Sequence, residues 1–551
     1  MRKLLILLGL CLLPSFVFAA PIPSRKPTQI IDITPATEKP QTTYKKQDYL
    51  KPLSPNQVKI YKDIVALQNQ KEWDEARSFI SKIDNPVLMD YIQSRQSGTL
   101  LPKKETKIQG TMAELRYFAK GSKYISNKYK NGQRYELNQV KKQIESHLDR
   151  GAVSAALSYF RNHRVQRYID PIDKSQILAE IASHYLYLKR YEQARSTALQ
   201  ALKASKQAPL AGWIMGLTAW MRGDMVESAQ YFTIASNVPY ASPWMTAAAS
   251  YWGARAATRA KLFSEVSPLL SKAVKNQRTF YGLIATKALG YGYDFNWTML
   301  PYESRHRDIL MTHLSGARAI AFIKIGQMNL AEQELFSLPV KNNPKMAEAA
   351  IAFANHYNLA GYAMRFSSVI SNPAGGYYDA GLFPISSWTK NIKNSDQAML
   401  NAFIRQESRF ITSAHNGTGA TGLMQIMPNT AAFVTENGVY KTAAGRALLS
   451  QPQNNVKIGA HYLNHLRNLD TVDHDLFGLA IAYNAGPGNL RKWKNDLKID
   501  DPLLFIELIP SSETRAFVER VLTNYWIYQM QLGIEPKTLM DVAQGDWPKL
   551  D

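Results

Sequence analysis

A single glutamate stands on an otherwise apolar helical stripe in FIRQESRF, residues 403–410. Counting back from Glu407, residues Met399, Leu400, Phe403 and Ile404 recur at steps of three and four, and Phe410 continues the stripe beyond it. That spacing puts them on one helical face, the face that usually packs inward. An ordinary glutamate, with a pKa of about 4.3, is protonated in roughly one molecule in five hundred at pH 7. Apolar surroundings disfavour the charged form, and at a pKa of about 6 roughly one molecule in ten would carry a proton to give. Glu407 is therefore a candidate general acid. The competing reading is that it ends its helix or pairs with Arg405 or Arg409, as neighbouring charges on a solvated face do.

Three further stretches in the last third carry unusual residue combinations. GATGLMQIMP, Gly419 to Pro428, offers Gly422 for close backbone approach, then Gln425 between Met424 and Met427. An amide on a floor of polarizable methionines suits a neutral polar ligand; a Met-rich core filler before Pro428 is the alternative. AYNAGPGN, Ala482 to Asn489, ends a helix-like run in a Gly-Pro-Gly turn, where Tyr483 either packs or sets a phenol beside Glu407. No strand precedes it and its spacing is not that of a dinucleotide loop. IPSSETRAFVERV, Ile509 to Val521, puts Glu513 and Arg515 just after Pro510, in the first turn of an expected helix. A carboxylate there is also explained by the helix dipole alone.

Other chemistries find less support. His461 and His465 are one turn apart, yet HYLNH lacks a glutamate beside the first histidine and has no evident third ligand, so no metal site is expected. Asp473 and Asp475 around His474 form a polar turn without calcium-loop spacing. No Gly-x-Ser-x-Gly elbow accompanies a serine triad. No cofactor is implied.

The elements that must position these residues are helical. The 551-residue chain is too long for one ordinary core. Its start reads as an address: Arg2 and Lys3, an apolar run Leu4 to Leu13, and a small-residue site with cleavage expected between Ala19 and Ala20, giving a signal peptide over 1–19. Cys11, the only cysteine, lies in that part, so the mature chain is expected to hold no disulfide, thiol nucleophile or Cys-ligated metal. No later run is long and apolar enough to span a bilayer, so stable membrane insertion is not expected. The net charge of +22 becomes +20 without Arg2 and Lys3. Such an excess attracts polyanions, but export and the lack of an aromatic-plus-basic signature argue against nucleic acid, and a solvated basic surface explains the charge equally well.

Residues 20–50 are rich in Pro, Thr and Lys, as in a disordered leader. From 51 to 370 helix periods follow one another, with a recurring theme of polar turn, acidic residue and small alanine at Ala76, Ala194, Ala229 and Ala331. This predicts an α-solenoid of stacked hairpins, with a non-repetitive bundle as the alternative. Gly, Pro and aromatics across 371–394 mark a linker or small docking segment. The motif-bearing region covers 395–535, and 536–551 forms a tail.

Taken in this order, the four motifs resemble the catalytic domain of the soluble lytic transglycosylases, a family similar in fold to goose-type lysozyme. Glu407-Ser408, GLMQIMP, AYNAG and ETR all occur with compatible spacing, and NNVKIGAHYLNHL, with Asn455, Gly459 and Tyr462, is similar to a family helix. The preceding helices, with FYGLIA at Phe280, resemble the family's superhelical U-shaped domain. The resemblance implies an all-α protein whose α-solenoid is followed by a lysozyme-like catalytic domain. It also implies Glu407 as the single acid, later the base. Gln425, Met427, Tyr483 and Glu513 would belong to the sugar-binding groove, with Gly422 at the head of its motif. Family members often carry Ser-Pro where this chain has Asn416 and Gly417; Asn416 can still hydrogen-bond a sugar. The implied function is periplasmic cleavage of peptidoglycan glycan strands at the β-1,4 bond after N-acetylmuramic acid, without water, leaving a 1,6-anhydro end. Other cell-wall enzymes are possible partners. A hydrolytic muramidase and a glycan-binding scaffold are the rival readings, and exo or endo attack stays open.

Overall fold

The computed structural model describes residues 50–98, 126–340, 343–367, 376–391 and 394–550. The expected signal peptide and all of the leader but residue 50 lie outside the described residues. The compact unit runs from Lys46 to Asp551 and is built of helices. Among the described residues the only β pairing is three isolated antiparallel bridges. No helix among them is long and apolar enough to cross a membrane.

Stacked hairpins account for the first two thirds. Pro171–Tyr187, Pro209–Met221, Pro243–Arg259 and Phe280–Ala288 each pack on the next, and Tyr191–Ala204, Met225–Ser236 and Phe263–Val274 lie between them as outer partners. One closing device recurs. The first helix of a hairpin ends in a left-handed residue at Lys71, Gly151, Lys189, Gly223, Lys261, Gly326 and Asn358. The next residue's N–H then reaches back to a carbonyl in the last turn, as in Arg190 to Tyr185, Asp224 to Ala219 and Gln327 to Phe322, at 2.8–3.0 Å. This Schellman closure satisfies carbonyls that the helix end leaves open and sets the reversal angle.

The small residue five positions later lets the returning helix approach: Ala76, Ala156, Ala194 and Ala331 are fully buried. In the hairpin closed at Gly223 that place falls to Ser228, whose hydroxyl donates to the Gly216 carbonyl at 2.9 Å. Ala229, expected from sequence to hold it, is also fully buried but one residue further along. A buried serine fits because its one donor is satisfied, so small volume, not alanine itself, suits the place, while after Lys261 the half-buried Val266 takes it.

The array closes on itself. Helices within Pro55–Ser97 share an apolar core with Ser304–Met311, Leu314–Lys324, Pro344–His356 and Ala360–Ser367. Arg318 donates to the Val87 carbonyl and pairs with Asp90, and the Lys324 ammonium donates to the Leu53 carbonyl at 2.9 Å.

A second core runs without interruption from the 131–288 helices into the last third of the chain. Phe280 stacks on Trp526 with centroids 5.4 Å apart, and Arg255 pairs with Asp501 at 2.6 Å. The 376–391 segment is docked between them. Asp379 is fully buried and held by the Arg278 guanidinium at 2.6 and 2.5 Å, while Asn401 accepts from the Ser386 N–H at 2.9 Å. In the last third the long Ser512–Gln531 helix is central, packing on both Asn394–Glu407 and Leu476–Ala485.

Candidate active site

Glu407 is the last residue of the Asn394–Glu407 helix, and the stripe that precedes it is the one expected. Leu400, Phe403, Ile404 and Phe410 are buried. Neither neighbouring arginine governs it. Arg405 donates to the Leu382 carbonyl at 3.0 Å and to Asn524 Oδ1 at 2.7 Å, and lies over the Phe383 ring. Arg409 follows in a left-handed conformation, with its carbonyl against the Gly361 turn of the helical array and its charge beside Arg365. No hydrogen bond or ion pair to the Glu407 carboxyl occurs among the described residues. Burial, and to a lesser degree the Glu513 carboxylate beside it, push its pKa up to about 8. At pH 7 that keeps roughly nine molecules in ten protonated, well above the one in ten expected from sequence.

Facing it, the 414–427 loop is laced by its own polar groups. Buried Asn455 accepts from the Met424 N–H at 2.8 Å and donates to the Thr421 and Leu449 carbonyls at 2.8 and 3.0 Å. Gly422, expected to let a sugar approach, instead lets Asn455 approach. Its φ is +79°, and a Cβ there would sit 2.5 Å from Asn455 Nδ2. It is buried behind the loop, off the groove surface. Met424 likewise belongs to the core, seated in the space left by Gly459, while Met427 is 36% exposed at the start of the next helix.

Gln425 has both amide protons engaged, to the Ala414 carbonyl at 3.0 Å and the Gly422 carbonyl at 2.9 Å. Two carbonyl partners fix which end of the amide is nitrogen, leaving Oε1 as the group open to a ligand. Asn416 is exposed and spends Oδ1 on the turn, accepting from Thr418 and from the Ala420 N–H, so its amide donors face out.

Tyr483 joins the two halves. Its hydroxyl donates to the Met424 carbonyl at 2.7 Å, and its ring contacts Phe403, Tyr462 and Phe517. Burial and the nearby Glu407 raise its pKa well above the ordinary tyrosine value, so it stays a neutral donor. Asn484 accepts from Thr514 Oγ1 at 2.7 Å, tying the AYNAG turn to the helix start that carries exposed Glu513.

Glu407, Tyr483 and Glu513 therefore meet, Gln425 and Met427 lie on the adjoining loop, and Gly422 serves that loop from behind. Sequence reasoning missed the Asn484–Thr514 link and the array's hold on the turn after Glu407, where Thr412 donates to Asn329 at 3.1 Å. No local pattern announces either. Among the motif decoys, Asp475 caps the Leu476–Ala485 helix through the Phe477 and Gly478 N–H groups at 3.1 Å.

The chain thus joins stacked helical hairpins to a mostly helical domain that holds an unpartnered glutamic acid at a helix end. Residues 384–502 match the transglycosylase SLT domain. The chain is 28% identical over 305 residues to a soluble lytic murein transglycosylase of Salmonella typhimurium, covering 54% of this chain and 46% of that protein. It is 28% identical over 301 residues to the Escherichia coli soluble lytic murein transglycosylase, covering 53% and 45%. The chain thus spans about half the length of the curated relatives it matches. An inactive mutant of the Pseudomonas aeruginosa lytic transglycosylase Slt superimposes with TM-score 0.54 at 21% identity, over 86% of this chain and 81% of that one. The 70 kDa soluble lytic transglycosylase of Escherichia coli gives 0.50 at 17%, over 90% and 89%. The chain is thus similar to soluble lytic murein transglycosylases over about half its length, with the SLT-domain match confined to residues 384–502.

Proposed function

We propose that this protein is a lytic transglycosylase that cleaves the β-1,4 bond between N-acetylmuramic acid and N-acetylglucosamine in peptidoglycan. The carrying observation is a carboxylic acid held protonated at neutral pH with no protein group bonded to it. Glu407 gives its proton to the glycosidic oxygen as the bond to C1 breaks, and the substrate's own N-acetyl group offsets the charge developing at C1. The carboxylate left behind then takes the proton of the muramic C6 hydroxyl, whose oxygen closes on C1 to form the 1,6-anhydro ring. One bond to C1 breaks, one forms, and Glu407 ends as it began. Intramolecular attack gains from proximity, and a dry site favours it over water.

Within this reading, Gln425 Oε1, the Asn416 amide and Met427 contact the sugars, Tyr483 braces the loop beside the acid, and Glu513 sets the field around it. The proposed setting is the periplasm, and the proposed partners are glycan strands and other wall enzymes. Exposed Glu513 is the one feature that would also serve a hydrolase, as a second carboxylate for water. Mass spectrometry of products from purified sacculi separates the two: anhydro ends are lighter than hydrolysis products by one water. Glu407→Gln is expected to fold and release neither. Cleavage by that variant would remove Glu407 from the reaction.

A further inference from the structure

A cavity of about 270 Å³ lies between the helical array and the catalytic domain. Its walls come from Pro171–Tyr187, Pro209–Met221 and Pro243–Arg259 on one side, and from Pro502–Leu508 and Ser512–Gln531 on the other. It is separate from the acid site. Glu513 and Glu519 stand six residues apart on one helix, about 240° around its axis at 100° per residue. The first faces Glu407 and the second lines this cavity.

Most charged groups in the walls have partners. Arg515 lies over the Tyr187 ring at 3.6 Å and donates to the Ile509 carbonyl, Lys141 pairs with Asp173 at 2.9 Å, and Glu507 accepts from the Tyr281 hydroxyl. Glu519 does not. It is 4% exposed, and its carboxyl makes no hydrogen bond or ion pair among the described residues. Burying a carboxyl without a partner is costly, so the position makes sense if something enters to pair with it. Glu507 stands beside it and Glu180 also lines the cavity, while Trp213 supplies an aromatic wall. Carboxyls together with an aromatic face are the setting that holds an ammonium group, and a volume just under the roughly 300–1,000 Å³ of drug-sized pockets suits a smaller molecule.

We infer that this interdomain cavity binds a small organic cation, a primary ammonium on a short apolar body, with Glu519 as its charge partner and Trp213 as its wall. The ammonium pairs with the ionised carboxyl, whose pKa burial raises, so binding draws proton release to solvent. Burial and the Glu507 charge raise the Glu519 pKa, opposed by Arg520 and Arg515; burial also pushes Glu507 up to about 7 and lowers the His184 pKa. Tyr187, pushed up to about 12, stays neutral too.

Titration calorimetry on the whole chain tests this with n-butylammonium chloride and, as the uncharged match, n-butanol, in two buffers of different ionisation enthalpy. Saturable one-to-one binding of the amine alone is expected, with proton release and affinity that rises from pH 6 to pH 8. Glu519→Gln is expected to weaken it at least tenfold. Ala248→Leu, which fills the cavity from the array side, is expected to abolish it independently of any change at Glu519. Equal heats from amine and alcohol, absence of binding, or an unchanged affinity in Ala248→Leu would overturn the proposal. None of these readouts depends on glycan cleavage.

Discussion

Replacing Glu407 with glutamine should stabilise the protein, and by an amount that grows with pH. The unfolded chain titrates this carboxyl near 4.5 and the folded chain near 8. The folded state therefore holds a proton that the unfolded state has lost, and stability falls as pH rises through that window. At 1.36 kcal/mol per pH unit the penalty on the wild-type fold is about 1 kcal/mol at pH 5, about 3 at pH 7 and about 5 once both states are ionised above pH 8. The glutamine side chain has no proton to lose and escapes it. Urea unfolding of both chains at pH 5 and pH 7 gives the double difference in which all other titrating groups cancel, and about 2 kcal/mol is expected. A gap that is equal at the two pH values would mean that Glu407 ionises in the fold as an ordinary carboxyl, and the acid role would lose its physical basis. For the proposed reaction, the same value places the alkaline limb of the pH–rate profile near pH 8.

Glu513→Gln removes a negative neighbour, so the Glu407 pKa should fall and the alkaline limb of the pH–rate profile should move to lower pH; an unmoved limb would exclude Glu513 from the site's field. Gly422→Ala puts a Cβ against Asn455 at a left-handed φ and should cost about 2–4 kcal/mol in thermal or urea unfolding, with cleavage falling as the loop shifts. Arg278→Ala strands the buried Asp379 carboxylate and should cost about 3–5 kcal/mol, loosening the docked segment ahead of the Asn394–Glu407 helix; a loss below about 1 kcal/mol would show that segment to be held by other contacts.

Much of the site was legible because its signals are local. The apolar stripe around Glu407, the Gly-Pro-Gly turn after Tyr483 and the helix start at Ser511 depend on neighbours a few residues away, and each appears where the pattern puts it. The alanine theme of the array was readable for the same reason, since small volume at a helix crossing recurs at fixed distance from a turn. A one-residue ambiguity at Ala229 arose because Ser228 is equally small.

The sequence by itself determined the helices, their reversals and the place of Glu407 at the end of an apolar stripe. Only the tertiary structure decided what that acid feels. Arg405 and Arg409 are its nearest charges along the chain, and in sequence they are as plausible partners as any. Folding turns Arg405 onto Leu382 and Asn524 and takes the Arg409 carbonyl to Gly361, and it brings Glu513 from over a hundred residues away instead. Gly422 changed from a ligand contact to a seat for Asn455 in the same way. Electrostatics and close packing act through space, so a carboxyl's proton is set by which distant segments the core brings beside it.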